Sequence, residues 1–186
     1  MPHELILGGQ RSVKSRCAEA RAAAWLSRPG HSALLLATAL ALDDEMRARI
    51  ARHRTDRAAN APGLATLEVP RELAAGLREH TTPDRLVLVA CLTLWWTNLV
   101  MPAVGDALPP AEWDGTREAL CTALREARGP VLLVSNEIGL GVSPMSREAR
   151  GFVDGLGWLH QAVAATCASV TMMLAGIEVP VKRGNA

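Results

Sequence analysis

Eight consecutive residues near the amino terminus have the types and spacing to hold phosphate: Gly8-Gly9-Gln10-Arg11-Ser12-Val13-Lys14-Ser15. They fit the pattern G-x-x-x-x-G-K-[ST] at Gly8, Lys14 and Ser15, but Val13 stands where the second glycine belongs. In such a loop the backbone N–H groups and a helix amino terminus bind phosphate oxygens. The lysine neutralises the β and γ phosphates, and the hydroxyl of Ser15 ligates Mg²⁺. A valine before the lysine brings a β-branched side chain to a place where backbone must approach phosphate. If that position needs a positive φ, valine is strongly disfavoured there, and weakened nucleotide binding is expected. Taken alone, the octapeptide reads equally well as a Gly-rich turn with a solvated lysine. The apolar run before it and the helical pattern after it favour the phosphate loop.

Other chemistry-bearing side chains are scattered. His53 lies in Arg49-Ile50-Ala51-Arg52-His53-Arg54-Thr55-Asp56-Arg57 and, by itself, reads as a solvated helix histidine among basic neighbours. Asn136 and Glu137 follow an apolar run, and open α/β sheets gather ligand groups at the carboxyl ends of their strands. A structural turn tightened by Gly139 and Gly141 explains them as well. His3, His31, His80 and His160 fall in loops or at a helix edge without ligand spacing, so surface or structural roles are expected. Of the tryptophans, Trp95 and Trp96 are expected to pack on the core and Trp113 to anchor a helix.

The elements that must position these groups alternate in type. Strands are expected at residues 4–7, 33–37, 86–91, 131–135 and 170–174, each almost continuously apolar, as a strand covered on both faces must be. Helices are expected at 14–26, 43–57, 70–79, 111–128 and 146–168. Such alternation is the pattern of an α/β domain with helices on both faces of a mainly parallel sheet. Pro62 and residues 105–110 read as surface loops, and the tail after Lys182 is expected to fray.

A chain of 186 residues is enough for one well-buried core, and a single domain over 1–186 is expected. Its formal net charge of +1 gives no global reason to expect nucleic acid or an anionic membrane as partner, so any anion site must be local. The four cysteines form no C-x-x-C pair, and reduced cytosolic thiols are the simple reading. The longest apolar stretch, residues 32–42, is too short to span a bilayer. A cytoplasmic chain with neither export signal nor membrane span is expected.

Five segments in order carry a family resemblance. They are the loop from Gly8 to Ser15; Ala37-Thr38-Ala39 leading to Leu42-Asp43-Asp44-Glu45-Met46; the basic segment around His53; Cys91-Leu92-Thr93-Leu94-Trp95; and Val134-Ser135-Asn136-Glu137-Ile138-Gly139-Leu140-Gly141. Together they resemble the bifunctional adenosylcobinamide kinase and adenosylcobinamide-phosphate guanylyltransferase family. The resemblance implies a three-layer P-loop fold of the RecA-like kind and two steps of cobalamin assembly. Adenosylcobinamide is phosphorylated with GTP or ATP and Mg²⁺, and GMP is then transferred from GTP through a guanylyl-histidine. Matching R-I-x-x-H-[RK]-x-x-R residue by residue places that nucleophile at His53, since a neutral imidazole can attack an α-phosphate. Arg54, Thr55, Asp56 and Arg57 then lie against the nucleotide, the arginines on its phosphates. The resemblance also lines the nucleoside pocket with Ala37, Thr38, Ala39 and Glu68, and implies a homotrimer with active sites between subunits.

Two positions depart from the family pattern on the phosphate and metal elements. Val13 is one; the other is Ala90, at the end of residues 86–90, where an Asp or Glu normally precedes Cys-Leu-Thr and helps hold Mg²⁺. Trp158 stands where a small or basic residue is expected. A paralogue that keeps the fold with impaired catalysis, and a P-loop kinase of another small hydroxyl substrate, are the rival readings.

Overall fold

Leu5, Ile6 and Leu7 are apolar at consecutive positions, and all three are buried in the first strand, β1 (Glu4–Gly8), which must therefore be covered on both faces. The computed structural model, which describes residues 2–184, shows how. After β1 come α1 (Lys14–Leu26), β2 (Ser32–Ala37), α2 (Asp44–Asn60), β3 (Leu64–Glu68), α3 (Leu73–His80), β4 (Arg85–Val89), α4 (Leu92–Val100), a short 3-10 turn leading into α5 (Trp113–Glu126), β5 (Val131–Asn136), α6 (Arg147–Thr166), β6 (Ser169–Leu174) and β7 (Ile177–Lys182). The seven strands form one sheet in the order β3-β2-β4-β5-β1-β6-β7, parallel except for the β6–β7 pair.

Period-two alternation along the strands sorts the core into two layers. Ile6, Leu35, Leu88, Leu132 and Val134 pack under α1 against Cys17, Ala18, Ala22 and Trp25. Leu5, Leu7, Val87, Val89 and Leu133 pack on the opposite face against α3, α4, α5 and α6. Trp96 is fully buried there and meets Trp113 edge-on, with ring centroids 5.2 Å apart. Gly155 makes room for the pair, because a Cβ at that position would stand 2.7 Å from Trp96 Cζ2. The indole of Trp113 donates to Leu108 O at 3.0 Å, which ties the loop before α5 to its helix. No helix among the described residues is long and apolar enough to cross a membrane.

Three elements escape the sequence reading. The edge strand β3 is largely exposed and lacks the continuous apolar run by which buried strands announce themselves. The other edge strand, β7, carries Pro180 mid-strand, which only an edge tolerates. Helix α4 contains Trp95 and Trp96 in a run too apolar to show a helical face, since the core surrounds most of it. Strand β4 also stops at Val89, so Ala90 lies just beyond its end. Of the tail expected to fray, residues 185 and 186 lie outside the described residues; 183 and 184 are exposed coil.

Candidate nucleotide site

Gly8 closes β1 with φ +157, and a Cβ on it would stand 2.6 Å from Ser12 Oγ and 2.7 Å from Met173 O, so only glycine fits. The chain then turns tightly: Arg11 and Val13 both take positive φ, 54° and 73°. Val13 is the residue before α1, in the left-handed region where a β-branched side chain is strained. Its side chain leans outward, with Cγ2 3.9 Å from where a Cβ on Gly176 would stand, in the β6–β7 turn. Holding a β-branched residue there costs roughly 1–2 kcal/mol, against about 0.5–1 kcal/mol of extra chain entropy for glycine. Val13→Gly is therefore expected to stabilise the protein by about 0.5–1 kcal/mol. Thermal unfolding checks the sign, which is opposite to that expected of most valine-to-glycine changes.

Lys14 and Ser15 open α1 beneath this turn. The ammonium of Lys14 is buried and donates to Gly9 O at 2.6 Å and Ser12 Oγ at 3.3 Å. Burial lowers its pKa; the Cys91 thiol opposes that, and the Arg49 guanidinium on α2 adds to it. Helices α1 and α2 pack against each other, which is how Arg49 on α2 comes to act on Lys14. His53 follows Arg49 by one turn on the same helix face, about 6 Å along the axis.

Helix α2 starts where Asp43 accepts the backbone N–H of Met46 at 2.6 Å, and it has no buried residue. Met46, Arg49, Ile50, His53 and Arg57 form its half-buried stripe, turned toward α1. Nothing local in the sequence marks Glu19 of α1, which is buried and whose carboxylate is favoured by the Arg57 guanidinium of this stripe. Burial lowers the pKa of His53, and Arg49, Arg57 and Arg52 push it further down against Asp56. A neutral imidazole at neutral pH is the consequence. Arg54, Thr55 and Asp56 are exposed, and the Thr55 hydroxyl donates to Ala51 O in its own helix at 3.2 Å.

An open cleft of ≈ 470 Å³ runs between the end of α2 and β3, lined by Arg54, Arg57, Ala58, Thr66 and Glu68 among others. Arg54 and Glu68 pair across its mouth at 3.2 Å, and both side chains are more than half exposed. An exposed pair of this kind is worth at most about 1 kcal/mol, so a ligand displaces it easily. Glu68 sits four strand steps from β1, about 19 Å across the sheet. The structure thus sets Arg49 of α2 within electrostatic reach of Lys14, and gathers Arg54, Arg57 and Glu68 at the cleft between α2 and β3.

Thr38 is turned the other way from a pocket-lining residue. It is fully buried, its hydroxyl donates to Cys91 O at 2.8 Å, and its carbonyl accepts from Asn98 Nδ2 at 2.7 Å. Ala37 and Ala39 remain half-buried at the end of β2. Ala90 donates its N–H to Leu36 O at 3.0 Å and offers only a methyl group to its surroundings. Among the described residues no group of three or more His, Cys, Asp or Glu side chains converges to hold a metal ion.

A second polar group was not legible in the sequence. His160 is buried on α6; its Nε2 lies 2.7 Å from Ser135 Oγ and its Nδ1 3.4 Å from Glu137 Oε2. Ser135 Oγ in turn meets Thr93 Oγ1 at 3.0 Å. Glu137 donates its N–H to Gly8 O at 3.0 Å, which puts this chain of side chains beside the phosphate loop.

Residues 4–181 match the family model described as cobinamide kinase / cobinamide phosphate guanyltransferase. The chain is 48% identical over 179 residues to the bifunctional adenosylcobalamin biosynthesis protein CobP of Pseudomonas aeruginosa, covering 96% of each. It is 36% identical over 187 residues to the bifunctional adenosylcobalamin biosynthesis protein CobU of Escherichia coli, covering 96% of this chain and 98% of that one. Among solved structures, the flagellar accessory protein FlaH of Methanocaldococcus jannaschii superposes with a TM-score of 0.53 at 11% identity, covering 99% of this chain and 80% of that one. The KaiC-like protein PH0186 of Pyrococcus horikoshii gives 0.51 at 12% identity, covering 92% and 70%. At that identity the likeness bears on the fold alone, a P-loop α/β domain.

Proposed function

Because the chain belongs to the cobinamide kinase / cobinamide phosphate guanyltransferase family, we propose that it phosphorylates adenosylcobinamide and then transfers GMP from GTP to the product, giving adenosyl-GDP-cobinamide. The observation that carries this reading is the packing of α2 against α1, the helix that follows the phosphate loop, with Arg49 and His53 one turn apart on the half-buried face of α2. Lys14 binds the β and γ phosphates once its ammonium leaves Gly9 O for them, and the backbone N–H groups from Gly9 to Ser15 cradle the rest.

In the guanylyl step the neutral imidazole of His53 attacks the α-phosphorus of GTP. The bond from that phosphorus to the bridging oxygen breaks, and its electron pair leaves with pyrophosphate. A phosphate oxygen of phosphorylated adenosylcobinamide then attacks the same phosphorus, and the P–N electron pair returns to the imidazole. Arg54 and Arg57 steady the phosphates during both exchanges, and Glu68, released from Arg54, accepts hydrogen bonds from the guanine edge.

The residues fit Mg²⁺ in the manner usual for nucleotide-bound magnesium. That ion keeps several waters and takes few protein oxygens, and the hydroxyl of Ser15, in the first turn of α1, would be one of them. When bound, it would neutralise charge on the β and γ phosphates. Ala90 cannot contribute, which supports a second reading in which the fold persists and phosphoryl transfer is impaired.

A homotrimer in the cytoplasm completes the proposal. Supporting self-association, Leu140, Val142 and Met145 are exposed in the loop after β5, and Ile177, Val179 and Val181 are exposed along β7. Incubation with α-labelled GTP is expected to give an acid-labile protein adduct that adenosylcobinamide phosphate discharges into adenosyl-GDP-cobinamide. GTP binding with neither adduct nor product would favour the impaired reading.

A further inference from the structure

Phosphorylating a hydroxyl requires somewhere for its proton to go, and the strand ends around the phosphate loop offer few acceptors. Strand β1 has β5 and β6 as neighbours, with β4 beyond β5. Strand β4 runs out into Ala90 and β6 into the turn Ala175-Gly176, neither of which carries a base. At the end of β5, Asn136 stands in register with Gly8, and Glu137 follows with its N–H on Gly8 O at 3.0 Å. Glu137 is thus the carboxylate whose own backbone is bonded to the phosphate loop.

Its side chain is held and left without a countercharge. Oε1 accepts the Gly139 N–H at 2.7 Å, and Oε2 faces His160 Nδ1 at 3.4 Å. Among the described residues no Lys or Arg lies within ion-pairing distance of it. His160 does not replace that cation, since burial lowers its pKa despite the carboxylate beside it. A neutral His160 has one proton, and the partners decide where it sits. A bare Nδ1 would repel the Glu137 oxygen, so Nδ1 carries the hydrogen and Nε2 accepts from the Ser135 hydroxyl at 2.7 Å. Ser135 then accepts from Thr93 at 3.0 Å, and Thr93 accepts the Asn136 N–H at 2.9 Å. Every member has a role, and the chain ends in one acceptor, 19% exposed, at the loop.

We propose that Glu137 takes the proton of the acceptor hydroxyl in the kinase step, with His160 and Ser135 as positioning residues. The assignment rests on the kinase reading above. As the hydroxyl oxygen bonds to the γ-phosphorus, its proton passes to the Glu137 carboxylate. The bond from that phosphorus to the β–γ bridging oxygen breaks, and its electron pair leaves on the nucleoside diphosphate. Glu137 then gives its proton to solvent through its exposed edge. His160 donates to Oε2 throughout, and Ser135 keeps it in that tautomer.

Glu137→Gln in the full chain keeps the shape and removes the base. Three measurements separate the roles: kinase turnover with γ-labelled GTP, labelling of His53 by α-labelled GTP without corrinoid, and Mn²⁺ affinity in the nucleotide complex. Kinase kcat is expected to fall about a hundredfold, with labelling and Mn²⁺ affinity within twofold of the parent. In His160→Gln the acidic limb of the kinase pH profile is expected to move, which a purely structural role would not cause. Undiminished kinase turnover in Glu137→Gln overturns the assignment, as does an equal loss of labelling, or a loss of Mn²⁺ affinity, which would make Glu137 a metal ligand. A parent chain that binds no GTP sinks the underlying reading and this assignment with it, whereas one that labels His53 but never phosphorylates sinks the assignment alone.

Discussion

His53→Ala is expected to abolish the acid-labile adduct formed from α-labelled GTP, with guanylyl transfer reduced at least about 10⁴-fold, as removal of a covalent nucleophile does elsewhere. Phosphorylation of adenosylcobinamide should survive within a few-fold, because His53 lies on α2 and not in the loop proposed to hold the γ-phosphate. The surrounding charge makes a second, independent demand. Burial is the largest influence on the His53 pKa and lowers it, and Arg49, Arg57 and Arg52 act in the same direction. The nucleophile is the neutral form, and a lowered pKa keeps that form dominant at neutral pH. Labelling rates should hold steady as pH falls through the ordinary histidine range and decline only below it. Replacing Arg49 and Arg52 by glutamine raises the pKa and so moves that decline to higher pH. Single-turnover labelling across pH in the two proteins measures both, and identical profiles would show that the arginines do not govern the imidazole.

Much of the fold could be read in the residues because parallel strands covered on both faces leave continuous apolar runs, and β1, β2, β4, β5 and β6 all have them. The edge strands have one neighbour and much solvent, so β3 and β7 carry no such run. Helix α4 has the opposite problem, being buried almost all round. The site divides along similar lines. The phosphate loop is a local motif whose residues are adjacent in sequence, and strain at Val13 was expected there on the condition, met at φ 73°, that its position takes a positive φ. Pairings across the sheet have no local signature. Ser135 and His160 are 25 positions apart and meet at 2.7 Å only because β5 and α6 pack face to face. Thr38 shows the converse: position in a motif suggested a ligand contact, while burial and two hydrogen bonds make it a strut between β2 and α4.

Lys14→Met separates binding from stability by giving them opposite signs. The ammonium is the cation proposed to meet the β and γ phosphates, and its loss should weaken GTP binding and slow both reactions by about 10³-fold, in line with removal of a preorganised charge from a phosphate transition state. Folding responds differently, because Lys14 is 8% exposed and its pKa is lowered, chiefly by burial. A lysine whose pKa is lower folded than unfolded disfavours folding at every pH where both states are charged. Its penalty fades as pH rises from the folded-state value toward the unfolded-state value. At neutral pH the penalty is present in full, so removing the charge while filling its space should leave Tm unchanged or raised. The hydrogen bonds to Gly9 O and Ser12 Oγ are lost in exchange, and a fall in Tm of several degrees would reveal them as the main purpose of the side chain. Calorimetric GTP titration beside thermal unfolding on one preparation reads both signs. Loss of GTP affinity with Tm maintained is the outcome required of a lysine kept buried for the phosphate it binds.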